Sequence, residues 1–102
     1  MFVIIESYRG YSDMKLKEVP IDVIARFRVN GSGIPSPYKF RYKDEHGNTY
    51  DVKIDHIYHV KDHRFAGKRS FIYRCVSTIA DEEMMYELRY FVDECQWQLY
   101  KM

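Results

Sequence analysis

His56, His59 and His63 follow one another as H-x2-H-x3-H, with Asp55 and Asp62 beside them. On a helix these rings would lie roughly on one face and could hold zinc. The flanking residues read instead as strand running into loop, and on a strand His56 and His59 point to opposite faces. They are expected as surface or boundary side chains, weak candidates for a metal, and no cofactor is expected. Nucleophilic catalysis needs a thiol or hydroxyl held against a base. Nothing in the sequence pairs Cys75 or Cys95 with a histidine. There is no G-x-S-x-G, P-loop or G-x-G-x-x-G, and Gly31-Ser32-Gly33 lacks the following helix that makes a phosphate cradle. The carboxylate runs Asp44-Glu45, Asp81-Glu82-Glu83 and Asp93-Glu94 fall in expected turns, not in a cleft that would separate their pKa values. No catalytic residue is assigned, and the chain reads as non-enzymatic.

The cations carry the stronger signal. Arg26, Arg28, Lys39, Arg41, Lys43 and Lys53 fall on the outward positions of three successive strands, and the 61–70 segment adds Lys61, Arg64, Lys68 and Arg69. If those strands are neighbours, the cations form a stripe with aromatic rings between them, a pattern that can hold a nucleic-acid backbone while rings stack on bases. Asp22, Asp51 and Asp55 interrupt it, three anions against the six cations of the strands. The formal charge of the whole chain is only +1, so the basic character is local.

The elements that must position these groups are strands. Tyr86 to Met102 reads as a last β-hairpin: Tyr86, Leu88, Tyr90 and Val92 alternate with polar residues, Asp93 to Cys95 reverse the chain, and Trp97 and Leu99 resume the alternation. Val19 to Val29 is a strand with Ile21, Val23, Ala25, Phe27 and Val29 on one face, a helix from Asp22 being the competitor. Asn30 to Pro37 is a loop and the first place to look for a binding loop. Tyr38 to Lys43 is the cleanest strand, with Tyr38, Phe40 and Tyr42 facing one way; Asp44 to Asn48 turns; Thr49 to Tyr58 returns, with a bulge or bend near Ile57. Lys61 to Ser70 reads as a basic loop turning at Gly67, Phe71 to Ile79 as a central strand covered on both faces, and Ala80 to Glu83 as a turn.

The 102 residues make one domain, with enough chain for a core without metal or disulfide staples. Ten Tyr and six Phe fit half-buried pleated surfaces. No apolar run reaches membrane-spanning length and Met1–Ile5 is too short for a secretory core, so a cytoplasmic location is expected, with no membrane partner and with Cys75 and Cys95 as buried or half-buried thiols. Residues 1–13 are either a first edge strand or an extension ahead of a domain that starts near Met14.

Five motifs carry a resemblance: PYKFRY from Pro37, VKIDHI from Val52, FIYRC from Phe71, ELRY from Glu87 and WQLYKM from Trp97. Together they resemble small uncharacterised bacterial all-β proteins with a P-x-[KR]-F-x-[YW] … E-L-x-Y … W-x-L pattern, over about two-thirds of the chain. Related-looking domains occur beside bacterial DNA-damage-tolerance polymerase genes, which implies a link to nucleic acid. The shared positions are aromatic core positions, no catalytic residue carries over, and Tyr42 stands where the pattern prefers tryptophan. The expectation is an all-β fold: an antiparallel meander curled into a barrel-like, SH3-like sheet of five to six strands with little helix. Its core is expected to be Val23, Phe27, Phe40, Tyr42, Val52, Ile54, Tyr73, Leu88, Tyr90, Trp97 and Leu99. Its expected function is a binding module for a protein partner or a second copy, the alternative being a nucleic-acid module using Arg26, Arg28, Lys39, Arg41, Lys43, Lys53, Lys68 and Arg69.

Overall fold

In the computed structural model, residues 14–28 and 33–102 are described. The expected first strand at 1–6 and the start of the 30–37 loop lie outside the described residues. The described chain forms seven strands and no helix: β1 (Leu16–Arg26), β2 (Ser36–Lys43), β3 (Thr49–Lys53), β4 (His56–Phe65), β5 (Lys68–Ile79), β6 (Glu82–Phe91) and β7 (Gln96–Lys101). All neighbours are antiparallel, in the order β3-β2-β1-β7-β6-β5-β4, curled into a half-barrel. The all-β, barrel-like expectation holds, with seven strands in place of five to six.

β1 is shared between two halves of the sheet. Its first part pairs with β7, from Leu16↔Lys101 to Ile21↔Trp97, and its second part with β2, from Asp22↔Arg41 to Arg26↔Ser36. Register shifts at Leu16/Val19, Ile24/Ala25, Ile57/His59 and Glu87/Leu88 each insert local twist, and this twist curls the sheet. The alternation read from the sequence sets the faces: Val19, Ile21, Val23 and Ala25 are half-buried while Pro20, Asp22, Ile24 and Arg26 are exposed.

Two edges of the sheet meet at a seam. β3 ends one edge, and two residues later β4 begins at the other. Ile54 N–H still bonds the β2 side, donating to the Tyr38 carbonyl (3.0 Å), whereas Asp55 is bound to β5, its N–H donating to the Val76 carbonyl (3.0 Å) and its carboxylate accepting Thr78 N–H (2.8 Å). The single strand expected over 49–58 is therefore two strands broken at Ile54–Asp55. No Gly or Pro marks the break, because tertiary pairing makes it. The bend expected near Ile57 is present as the bulge at Tyr58.

The core holds Phe40, Val52, Ile54, Phe71, Tyr73, Cys75, Tyr86, Leu88, Tyr90 and Leu99, with Val23, Tyr42 and Trp97 packed half-buried against it. β5 corrects the expectation of a central strand covered on both faces: it lies next to the edge strand β4, and while Phe71, Tyr73, Cys75 and Ser77 are buried on one face, Arg74 and Thr78 are exposed on the other. Phe27 departs from the expected core: β1 ends at Arg26, and Phe27 is 58% exposed, its ring edge-on to Tyr90. Tyr38 departs too. In β2 Pro37 and Phe40 are buried while Tyr38 is exposed, so an extra residue between them reverses the pleat. The basic loop expected over 61–70 is instead the end of β4 and the start of β5, joined by the two residues Ala66 and Gly67. The turn at 80–83 is likewise shorter than expected, Ala80 and Asp81 alone, with Glu82 and Glu83 already in β6.

Both two-residue turns have positive φ at both positions: Ala66 53°, Gly67 79°, Ala80 52° and Asp81 67°. This is the mirror-image turn that matches strand twist, and it disfavours a Cβ. Replacing Ala80→Gly is expected to stabilise the protein by about 1 kcal/mol, and Ala80→Val to destabilise it. Urea denaturation checks this; a glycine variant no more stable than the parent would contradict it.

Candidate functional site

Three surfaces could do chemistry or binding: the outward face of β3-β2-β1, a cleft across β1, and the strand β4. The first collects five of the predicted cations. Lys39 lies directly opposite Lys53 on one side and Ile24 on the other; Arg41 lies between Asp51 and Asp22; Lys43 opposes Thr49; Arg26 follows along β1. Arg28 sits just past the end of β1, exposed. Arg41 is held by a two-pronged bond to Asp51 (2.8 and 3.3 Å), which raises the guanidinium pKa and lowers that of the Asp51 carboxylate. Lys39, Lys43 and Lys53 have no ion-pair partner among the described residues.

Lys68 and Arg69 do not join this group. They begin β5, at the end away from Ser77, where β3 reaches that strand. Lys68 meets Glu94 at 3.4 Å, and Arg69 lies 4.8 Å over the Phe71 ring with a two-pronged bond to Asp62 (3.1 and 2.8 Å). That bond holds the Asp62 carboxyl below its ordinary range. The sequence put the cations at outward positions but gave no sign of these acidic partners, which arrive from other strands. Asp44 organises the β2–β3 turn: its carboxylate accepts bonds from His46, Asn48 and the Tyr50 hydroxyl. Some desolvation pushes its pKa up, but those donors prevail and lower it.

The cleft was not foreseen. It opens where β1 leaves β7 for β2, holds about 600 Å3, and is lined by Pro20 to Val23, Arg41, Lys43, Thr49, Cys95, Gln96 and Trp97. Trp97 is half-buried, 4.7 Å from Tyr90 and 5.4 Å from Tyr73 between ring centres. Its strand was legible, but the fork of β1 that opens the cleft follows from the pairing and not from residue types.

β4 pairs only with β5 among the described residues. Apart from half-buried Ile57 and His63 it is exposed throughout, including Tyr58 (59%), Val60 (37%) and Phe65 (73%). The register corrects the expected histidine geometry: His56, His59 and His63 oppose Val76, Arg74 and Ser70, which share one face. The bulge at Tyr58 shifts the strand by one residue and brings His56 and His59 to the same side. His59 and His63 are four residues apart, about 13 Å along a strand, too far to share one ion. Among the described residues no three His, Cys, Asp or Glu side chains come together as a ligand set. Neither cysteine is in a disulfide; Cys75 is buried as expected, but Cys95 is exposed, because it lies in the turn between β6 and β7.

No family model matches the chain, and no curated protein or solved structure does. No helix of the described residues is long and apolar enough to cross a membrane.

Burial gives the core a pH dependence. Desolvation, with Glu87 nearby, pushes the Cys75 thiol from its ordinary 9.0 to about 12, and desolvation drives the Tyr73 phenol upward as well. Below about pH 8 both groups are protonated in folded and unfolded chains, and stability is at its full value. As pH rises from there toward the folded pKa values, the unfolded chain releases protons that the folded chain keeps, so stability falls. The urea midpoint is expected to decline from pH 9 to 11, and less steeply in Cys75→Val, by about 1.4 kcal/mol per pH unit for the missing thiol. Identical slopes in the two proteins would contradict the assignment.

Proposed function

We propose that the protein is a non-enzymatic interaction module that receives an extended segment of a partner chain, or of a second copy, along the free edge of β4. The observation that carries this reading is β4 itself: ten residues, bonded on one side only among the described residues, with Tyr58, Val60 and Phe65 exposed. An edge of this kind presents a row of unpaired N–H and C=O groups, a template for strand addition. Main-chain bonds supply affinity, and alternate side chains select the partner. Lys61, Asp62 and Arg64 between the apolar residues restrict register and discourage indiscriminate pairing. β3, the other edge, is half as long, and its end is tied to β5 through Ser77.

A second reading is favoured by one observation. Lys39 stands directly opposite Lys53, and like charges so placed are destabilising unless something anionic joins them. With Arg26, Arg28 and Lys43, this pair supports nucleic-acid contact on the β3-β2-β1 face, in line with the resemblance to domains found near polymerase genes.

The leading reading is tested by sedimentation over a wide concentration range and by selection of binders from a displayed library of extended peptides. Concentration-dependent mass or selected peptides are expected, lost in Val60→Lys and Tyr58→Glu with the fold intact. A protein that stays monomeric and selects no peptide sensitive to these changes would overturn it.

A further inference from the structure

We infer that the cleft across β1 binds a nucleotide: a planar, amino-bearing ring joined to a phosphate. Its volume of about 600 Å3 lies within the roughly 300–1,000 Å3 of small-molecule sites. Its lining is more polar than that of most such sites, with Asp22, Arg41, Lys43, Thr49 and Gln96 beside an apolar floor. The floor is Ile21, Val23 and Trp97, all half-buried. Trp97 is braced by Tyr90 and Tyr73, so its ring is a pre-positioned surface for stacking.

The lining contributed by β2 is cationic. Arg41 and Lys43 are two residues apart on β2 and so share a face, with their Cα atoms about 7 Å apart along the strand. Asp51 fixes the Arg41 guanidinium in place and Asp22 adds a second carboxylate on its other side, so Arg41 alone carries little surplus charge. Lys43 has no ion-pair partner among the described residues and supplies the net positive charge for a phosphate. Asp22, also on the lining, can accept a hydrogen bond from an exocyclic amine, as carboxylates do with cytosine. Thr49 and Gln96 add neutral donors and acceptors at the rim. A ring, an amine and a phosphate in one compact molecule describe an adenine, cytosine or guanine nucleotide, as opposed to a uracil one. The shared chemistry has two sources, a free mononucleotide or one unit of a single strand.

The site stands apart from β4 and does not depend on the strand-addition reading. The test uses the indole N–H resonance of Trp97, the only tryptophan, in titrations of the full chain at low salt. The probes are CMP, AMP, UMP, cytidine, inorganic phosphate and a short single-stranded oligocytidylate. Saturable shifts are expected with CMP or AMP if the source is free nucleotide, and with the oligonucleotide alone if it is a strand. UMP, lacking the amine, is expected to bind more weakly, and cytidine and phosphate at least about tenfold more weakly, since each lacks one half of the contacts. Lys43→Glu, an exposed change, is expected to weaken binding by about tenfold or more, and Asp22→Asn to erase the preference over UMP. Val60→Lys on β4 is expected to leave every shift unchanged. Absence of a shift with any nucleotide or the oligonucleotide, or equal binding by the parent and Lys43→Glu, would overturn the proposal.

Discussion

The half-barrel closes through a short chain of buried hydroxyls. Tyr86 and Ser77 share a hydrogen bond of 2.5 Å inside the core, and the Ser77 hydroxyl donates to the Lys53 carbonyl at 2.7 Å. The serine proton is used on Lys53, so Tyr86 is the donor to Ser77. A parallel tie runs from the Tyr73 hydroxyl to the Pro35 carbonyl. These links join β5 and β6 to the β2–β3 half. Each hydroxyl is buried, and a buried polar group without a partner costs about 1–3 kcal/mol. The interior can therefore be filled with tyrosine only if the two halves come together in this register.

That constraint explains what remains open. Once Lys53 is fixed beside Ser77, the chain has only Ile54 and Asp55 in which to cross from one sheet edge to the other. β4 then runs away from the seam along β5, past the point where the opposite half can cover it. The same geometry makes β1 serve both halves, and its change of partner at Ile21–Asp22 opens the cleft beneath Arg41 and Lys43. The two surfaces argued to bind other molecules are thus consequences of how this sheet closes.

Much of the sheet was legible because half-buried strands print their faces as alternation. The strand over Tyr86–Phe91, the inner face of Phe71–Ile79 and the β1 alternation from Val19 to Ala25 were legible in this way, whereas Phe27 and the cover expected over the second face of Phe71–Ile79 were not. β4 beyond Tyr58 was not legible: KDHRF has no apolar period, because an edge strand exposed on both faces has no buried side to mark. The turns at Ala66 and Ala80 carry alanine where glycine or asparagine would announce them. The site cations were visible as outward positions. Their neutralisation by Asp51, Asp62 and Glu94 was not, since those pairs depend on register between strands. For the same reason the His56–His59 relation was misjudged, a single bulge being enough to move one ring to the other face.

The most direct test of β4 as a docking edge is amide hydrogen exchange along His59–Phe65, measured in dilute solution and again at high concentration or with a selected peptide. Strand addition is expected to slow exchange at every second residue of β4, the amides that point away from β5, and to leave β3 unchanged. Exchange along β4 that does not respond, or protection that appears on β3 instead, would contradict the account.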